Sequence, residues 1–168
     1  MAETVGFWLL AIISVVTALM VVLNRNPVRC ALYLIINFIC LALFYLMLQA
    51  EVLAVLQVVV YAGAIMVLFL FVLMLLGVES QESVRETIRG QRPAAVLLTL
   101  GLLVAIVAAL LAGVFDTAPA SLAAANQGGN VQAVGRLLFT HYTFAFETAG
   151  VLLMVAAVGA LVLGKRQP

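Results

Sequence analysis

Five stretches of this sequence are apolar over lengths that cross a bilayer as a helix: Val5–Leu23, Val28–Leu48, Val52–Gly77, Ala94–Phe115 and Phe144–Gly164. None has a lysine, arginine, aspartate or glutamate near its middle. Lipid offers no hydrogen bonds to backbone amides, so a lone strand would leave every one unpaired and each stretch must be helical. Hydrophobic residues are 67% of the chain and charged residues 9%, where about 25% charged is normal for a soluble domain. Too few polar side chains remain to cover a water-facing exterior. The sequence therefore predicts an all-α integral membrane protein, one membrane domain over residues 1–168 with five transmembrane helices. The first stretch follows Met-Ala-Glu-Thr rather than a basic segment and is too long for a signal-peptide core, so it is expected to be retained.

Lysine and arginine placement sets a direction. Arg25, Arg29, Arg85, Arg89, Arg92, Lys165 and Arg166 fall on one side of a five-span chain, and Arg136 falls on the other with Glu3, Glu51 and Asp116. By the positive-inside rule the N-terminus is outside and the C-terminus cytoplasmic. Spans two and three are joined by Gln49, Ala50 and Glu51 alone, a tight hairpin. The loop Val78–Pro93 mixes both signs of charge and places Pro93 at a helix start. The outer loop, 116–143, is the longest. Its middle, Ala123–Asn130, is small, polar and glycine-rich, which reads as mobile. Val131, Val134, Leu137 and Leu138 then recur at helical spacing, as in a short surface helix. Trp8, Tyr45, Tyr142 and Phe144 lie near predicted interfaces, where aromatic belts form.

Several function classes fall away. A net charge of +1 offers no basic stripe to nucleic acid. Cys30 and Cys40 match neither a zinc nor a redox spacing, and one histidine, His141, cannot make a paired-histidine haem site. No dinucleotide, P-loop or nucleophile-elbow motif is present. No catalytic, cofactor-binding or metal-ligating residue is expected, so any redox cofactor belongs to a partner. The carboxylates Glu51 and Glu147 lie near outer span ends, where a structural or electrostatic role fits. Glu147 falls in the first turn of the last span as the sequence reads. The mid-membrane polar residues Ser14, Thr17, Asn37, Gln57 and Tyr61 are uncharged. Interhelical hydrogen bonding accounts for them, although Gln57 and Tyr61, four apart, share one face of a regular helix. Small residues recur every fourth position at Gly101, Ala105, Ala109 and Gly113, and at Ala156, Ala160 and Gly164, a pattern that lets helices approach closely. A chain without mid-membrane charge makes a poor complete proton wire. It reads as part of an assembly.

The third span is 26 residues long, about 39 Å as an α-helix against roughly 30 Å of hydrocarbon. Gly63 is a weak point at its centre, either a π-bulge site or a glycine used for close packing. Its sequence from 58 to 76, Val-Val-Val-Tyr-Ala-Gly-Ala-Ile-Met-Val-Leu-Phe-Leu-Phe-Val-Leu-Met-Leu-Leu, closely resembles the third helix of the J subunit of proton-pumping NADH:quinone oxidoreductase, respiratory complex I (subunit 6 in mitochondria). Asn26-Pro27-Val28-Arg29, Glu51, and the Gly-x-x-Leu-Phe-x-x-Tyr-x-x-x-x-Glu pattern from Gly135 to Glu147 support the match. The variable stretch Asp116–Asn130 contributes nothing to the resemblance.

The resemblance implies a core membrane-arm subunit without a redox centre, in a bacterial inner membrane. Its partners would be the quinone-site and antiporter-like subunits and the lipid bilayer. FMN, iron–sulfur clusters, NADH and quinone would belong to the assembly. It further implies a π-bulge around Tyr61–Leu68, with Gly63 as its soft point. Tyr61, Gly63, Met66, Leu68 and Phe69 would gate a hydrated proton path, while Gln57, like Glu51 and Glu147, would have a structural or electrostatic role. Two other readings remain open: a homologous subunit of a hydrogenase, cation/proton antiporter or plastoquinone-linked complex, and a small autonomous carrier. The carrier would show an internal repeat with broken helices around a polar site, and the sequence has none.

Overall fold

A computed structural model describes residues 1–77, 91–113 and 128–165. The described chain is helical, with no strand. The first two spans are α1 (Ala2–Leu23) and α2 (Pro27–Met47). The third, Glu51–Leu76, is made of three pieces: α3 (Glu51–Leu56), a π-helical segment (Gln57–Ile65) and α4 (Met66–Leu76). Then follow α5 (Gln91–Leu111), a short α6 (Asn130–Thr140) and α7 (Thr143–Gly164). Five of the helices are long and apolar enough to cross a membrane. Their ends depart from the sequence reading by a few residues. α5 begins at Gln91, ahead of Pro93, which is tolerated because a proline in the first turn gives up an N–H that has no intrahelical partner. Phe115, residues 78–90 of the charged loop with Arg85 and Arg89, residues 123–127 of the glycine-rich stretch, and Arg166 lie outside the described residues.

α1 packs along α2, and α2 packs along all three pieces of the third span. Local chemistry explains this hairpin. The Asn26 side chain accepts hydrogen bonds from the N–H groups of Val28 (3.0 Å) and Arg29 (3.2 Å), and Pro27 opens α2. Asn-Pro thus supplies both a helix cap and a preset φ. At the far end the Gln49 N–H bonds Leu46 O and the Ala50 N–H bonds Tyr45 O. With Gln49 left-handed at φ 56°, these close α2 in a Schellman turn that sends the chain straight back as α3. Small buried residues on α2 (Ala31, Cys40 and Ala42) let its neighbours come close.

One polar clamp holds α1 to α2. The Asn37 amide donates to Ser14 O (2.8 Å), Ser14 Oγ (3.1 Å) and Thr17 Oγ1 (3.1 Å). The buried Thr17 hydroxyl in turn donates to Ile13 O at 2.8 Å. Three of the mid-membrane polar residues are therefore interhelical glue, satisfied as buried polar groups must be. On the opposite flank, α6 lies against both α3 and α7. α5 has no extensive packing partner among the described residues. The small residues of α5 and α7 accordingly face open space: an added Cβ at Gly101, Gly159 or Gly164 would meet nothing within 4 Å.

Candidate functional site: a π-helical segment in the third span

The irregularity sits inside the third span. At its start the Gln57 N–H still bonds Leu53 O and Ala54 O, as in tighter helix. At its end the Met66 N–H reaches Tyr61 O, five residues back, as well as Gly63 O. The backbone remains right-handed at both ends, with Gln57 at φ −60°, ψ −42° and Met66 at φ −71°, ψ −33°. This is a widened helix rather than a break. It begins at Gln57 and finishes at Ile65, so it overlaps the expected Tyr61–Leu68 region only in part. Met66, Leu68 and Phe69 lie on the regular helix that follows.

Burial shows what the extra residue does. Ala54 and Gln57 are buried, Tyr61 is exposed, Ala62 and Gly63 are partly buried, Met66 is buried, and Leu70 and Leu73 are partly buried. Continued at 3.6 residues per turn from Ala54 and Gln57, the inward face would pass through Tyr61 and Leu68. Instead it passes through Met66, one residue out of step. Gln57 and Tyr61 therefore do not share a face: Gln57 is 8% exposed and Tyr61 47%. The reason is that a π turn takes more residues per revolution than an α turn.

The surrounding groups are specific. The Tyr61 ring meets Phe38 of α2 edge-on at 5.7 Å. Among the described residues neither the Tyr61 hydroxyl nor the Gln57 side-chain amide has a hydrogen-bond partner, and neither is a fully buried polar group. A Cβ placed on Gly63 would sit 3.3 Å from the Val58 carbonyl oxygen, a tight approach that glycine avoids. An apolar groove of about 350 Å³, lined by Ile39, Ala42, Leu46, Ala54, Val58 and Val59, runs between α2 and the N-terminal half of the span. A second, of about 460 Å³, opens at the other end between Arg25, Leu34 and Phe69. Leu68 points away from the hairpin and is 62% exposed.

The two carboxylates near span ends differ from each other. Glu51 is in the first turn of α3, as the sequence suggests. Glu147 is not in the first turn of its helix, because α7 begins at Thr143, and a stabilising interaction with that helix end fades beyond the first turn. One residue had no signal in the sequence. Asn130 falls in a stretch read as loop, yet it opens α6 and its side-chain oxygen accepts the Val52 N–H at 2.9 Å. No single-chain pattern links positions that far apart. No group of metal-binding side chains occurs among the described residues.

Five apolar helices of spanning length, the third carrying a π segment within a tight hairpin, define a polytopic membrane protein. The comparisons give the family. The model of NADH-ubiquinone/plastoquinone oxidoreductase chain 6 matches residues 17–163, and the chain belongs to that family. It is 38% identical over 166 residues to NADH-quinone oxidoreductase subunit J of Rhodobacter capsulatus, covering 96% of this chain and 81% of that protein. It is 42% identical over 147 residues to subunit 10 of the Thermus thermophilus enzyme, covering 88% and 81%. F(420)H(2) dehydrogenase subunit J of Methanosarcina mazei is 35% identical over 167 residues, covering 97% and 91%. The chain is thus a multi-pass membrane subunit of the NADH-quinone oxidoreductase, or respiratory complex I, type.

Proposed function

We propose that this chain is a non-redox coupling subunit whose third span gates a hydrated proton path as quinone is reduced elsewhere in the complex. The observation that supports it is the one-residue offset in the inward face of that span. Returning the π segment to α-helix would rotate one flanking half against the other by about 100°. With the outer half fixed, Met66 would leave the buried face, Tyr61 and Leu68 would enter it, and Phe69 would shift against the inner groove. Bulky apolar side chains exclude water, and a groove that exchanges them changes how water can enter. Gln57 adds a polar group to the same stretch: its side-chain amide has no protein partner among the described residues and keeps some accessible surface, where water can bind. Gly63 keeps both forms accessible: it spares the π form the Val58 contact and adds no side chain to favour the α form. Two arrangements within a few kcal/mol of each other are what a switch requires.

In this reading the protons travel on carboxylates of neighbouring antiporter-like subunits, and the quinone site, FMN and iron–sulfur clusters belong to other subunits of a translocase in a bacterial inner membrane. The N-terminus faces outward. The test is Gly63→Val in the assembled complex. A branched Cβ beside Val58 O should disfavour the π form, so NADH oxidation with an artificial acceptor at the peripheral arm stays normal while quinone-linked proton pumping falls. Normal pumping by this variant, or an unchanged helix through residues 57–65 in every state of the complex, would leave the span a packing element. The Methanosarcina relative supports a second reading, the same subunit role in a complex fed by a different electron donor. The peripheral proteins that co-purify decide it.

A further inference from the structure

The outer end of the third span is capped from a distant part of the chain. A helix leaves its first N–H groups without internal partners, and Ala50, at the N-cap position of α3, has no side-chain acceptor to offer. The Val52 N–H is instead taken by Asn130 Oδ1 at 2.9 Å, across 78 residues of sequence. The fold holds that oxygen in place. Gly129 precedes Asn130 at φ 104°, a conformation that side chains resist, and it turns the chain directly into α6. α6 then lies against both α3 and α7. Little more than a turn below Val52 the π segment begins. The other flank is held differently: α4 packs on α2 and on the π segment, with no other described helix beside it to the same extent.

A π-to-α change produces a relative rotation, and the half held less firmly takes it up. We propose that Asn130 is a positioning residue for this switch: its side-chain oxygen pins the outer end of the third span, so that the change is delivered as rotation of α4. The inference rests on the gating reading above, and the experiment separates the two. In the assembled complex, with Cys30 and Cys40 replaced by alanine, spin labels are placed on the exposed positions Val55 in α3 and Val67 in α4 and are read at rest and during turnover. The unaltered Asn130 complex should change its signal at 67 and not at 55. Asn130→Ala should set the label at 55 in motion as well, shifting the held fraction about fivefold, as loss of an ordinary N-cap does. Protons pumped per NADH should fall while the artificial-acceptor rate holds. Asn130→Asp keeps an acceptor oxygen at the same reach and should restore both readouts, which a general packing defect would not allow. If 55 moves as much as 67 with Asn130 present, if Asn130→Ala leaves 55 still and pumping intact, or if Asn130→Asp fails as alanine does, the assignment of Asn130 is wrong and the gating reading stands. If neither label changes during turnover, the gating reading fails first. Should the alanine variant not assemble, the unaltered and Asp complexes still decide the question.

Discussion

At the scale of single residues, glycine 63 and asparagine 37 show two kinds of polar or flexible position in an apolar helix. Asn37 has three acceptors on α1 and ties α2 to it. Replacing it by leucine should weaken the α1–α2 contact by about 0.6–2 kcal/mol, visible as a lower thermal midpoint of the isolated complex with unchanged turnover in what survives. Position 63 should respond in graded fashion. A lone methyl group 3.3 Å from Val58 O asks for a shift of a few tenths of an ångström. Gly63→Ala should therefore lose a modest part of coupled pumping and Gly63→Val most of it, and equal pumping in the two variants would count against the steric account. Glu147 is exposed and beyond the helix-end field. Glu147→Gln is expected to keep most quinone-linked turnover, measured with the same paired assay, and abolished pumping with normal assembly would make it a proton-handling group instead. Gly63 was legible in the sequence as a soft point. Gln57 was visible as a polar residue, but its isolation was not, because that depends on which α2 side chains surround it.

At the scale of elements, five spans and a hairpin could be read directly, since hydrocarbon thickness and backbone satisfaction leave apolar runs little choice. Asn26 and Pro27, which entered the sequence reading only through the family resemblance, start α2 by local chemistry. The start of the π segment could not be read in this way. Val58, Val59 and Val60 would serve equally well in α or π, and the choice is made by the packing of Ala54 and Gln57 above and Met66 below against α2. Asn130 was hidden for a related reason: its role depends on a contact with Val52 that only the folded chain creates. The π segment amounts to one residue inserted into an α-helix, and this makes a decisive variant available. Deleting Val60 should give an uninterrupted α-helix in which Ala54, Gln57 and Met66 all keep their inward positions. Packing is preserved while the second arrangement is removed. The complex should assemble at near-normal yield, reduce an artificial acceptor normally and pump few protons. A deletion variant that pumps at the normal rate would show that the offset has no mechanistic use.

At the scale of the whole molecule, three of the five spans pack on one another among the described residues. α1, α2 and the third span have one another, while within this chain nothing of the α5 or α7 windows is buried. Helices in lipid gain no hydrophobic energy by associating, so close packing of small residues must supply the attraction. On α7 these are Ala156, Ala160 and Gly164, on one face, with Val162 on the other and 68% exposed. The small face would receive a helix from a neighbouring subunit and the bulky face would meet lipid. A ring placed on the small face should keep that helix at a distance, an overpacking cost of about 1–3 kcal/mol, concentrated at a contact that other subunits depend on. Ala160→Phe should therefore deplete the intact complex on a native gel and release a subcomplex, whereas Val162→Phe, which adds similar bulk on the opposite face, should leave assembly near normal. The control matters because both variants make the same helix larger and more hydrophobic, so a general insertion defect would affect them equally. Equal loss in both, or a greater loss from Val162→Phe, would mean that the small-residue stripe is not where the neighbouring subunit docks.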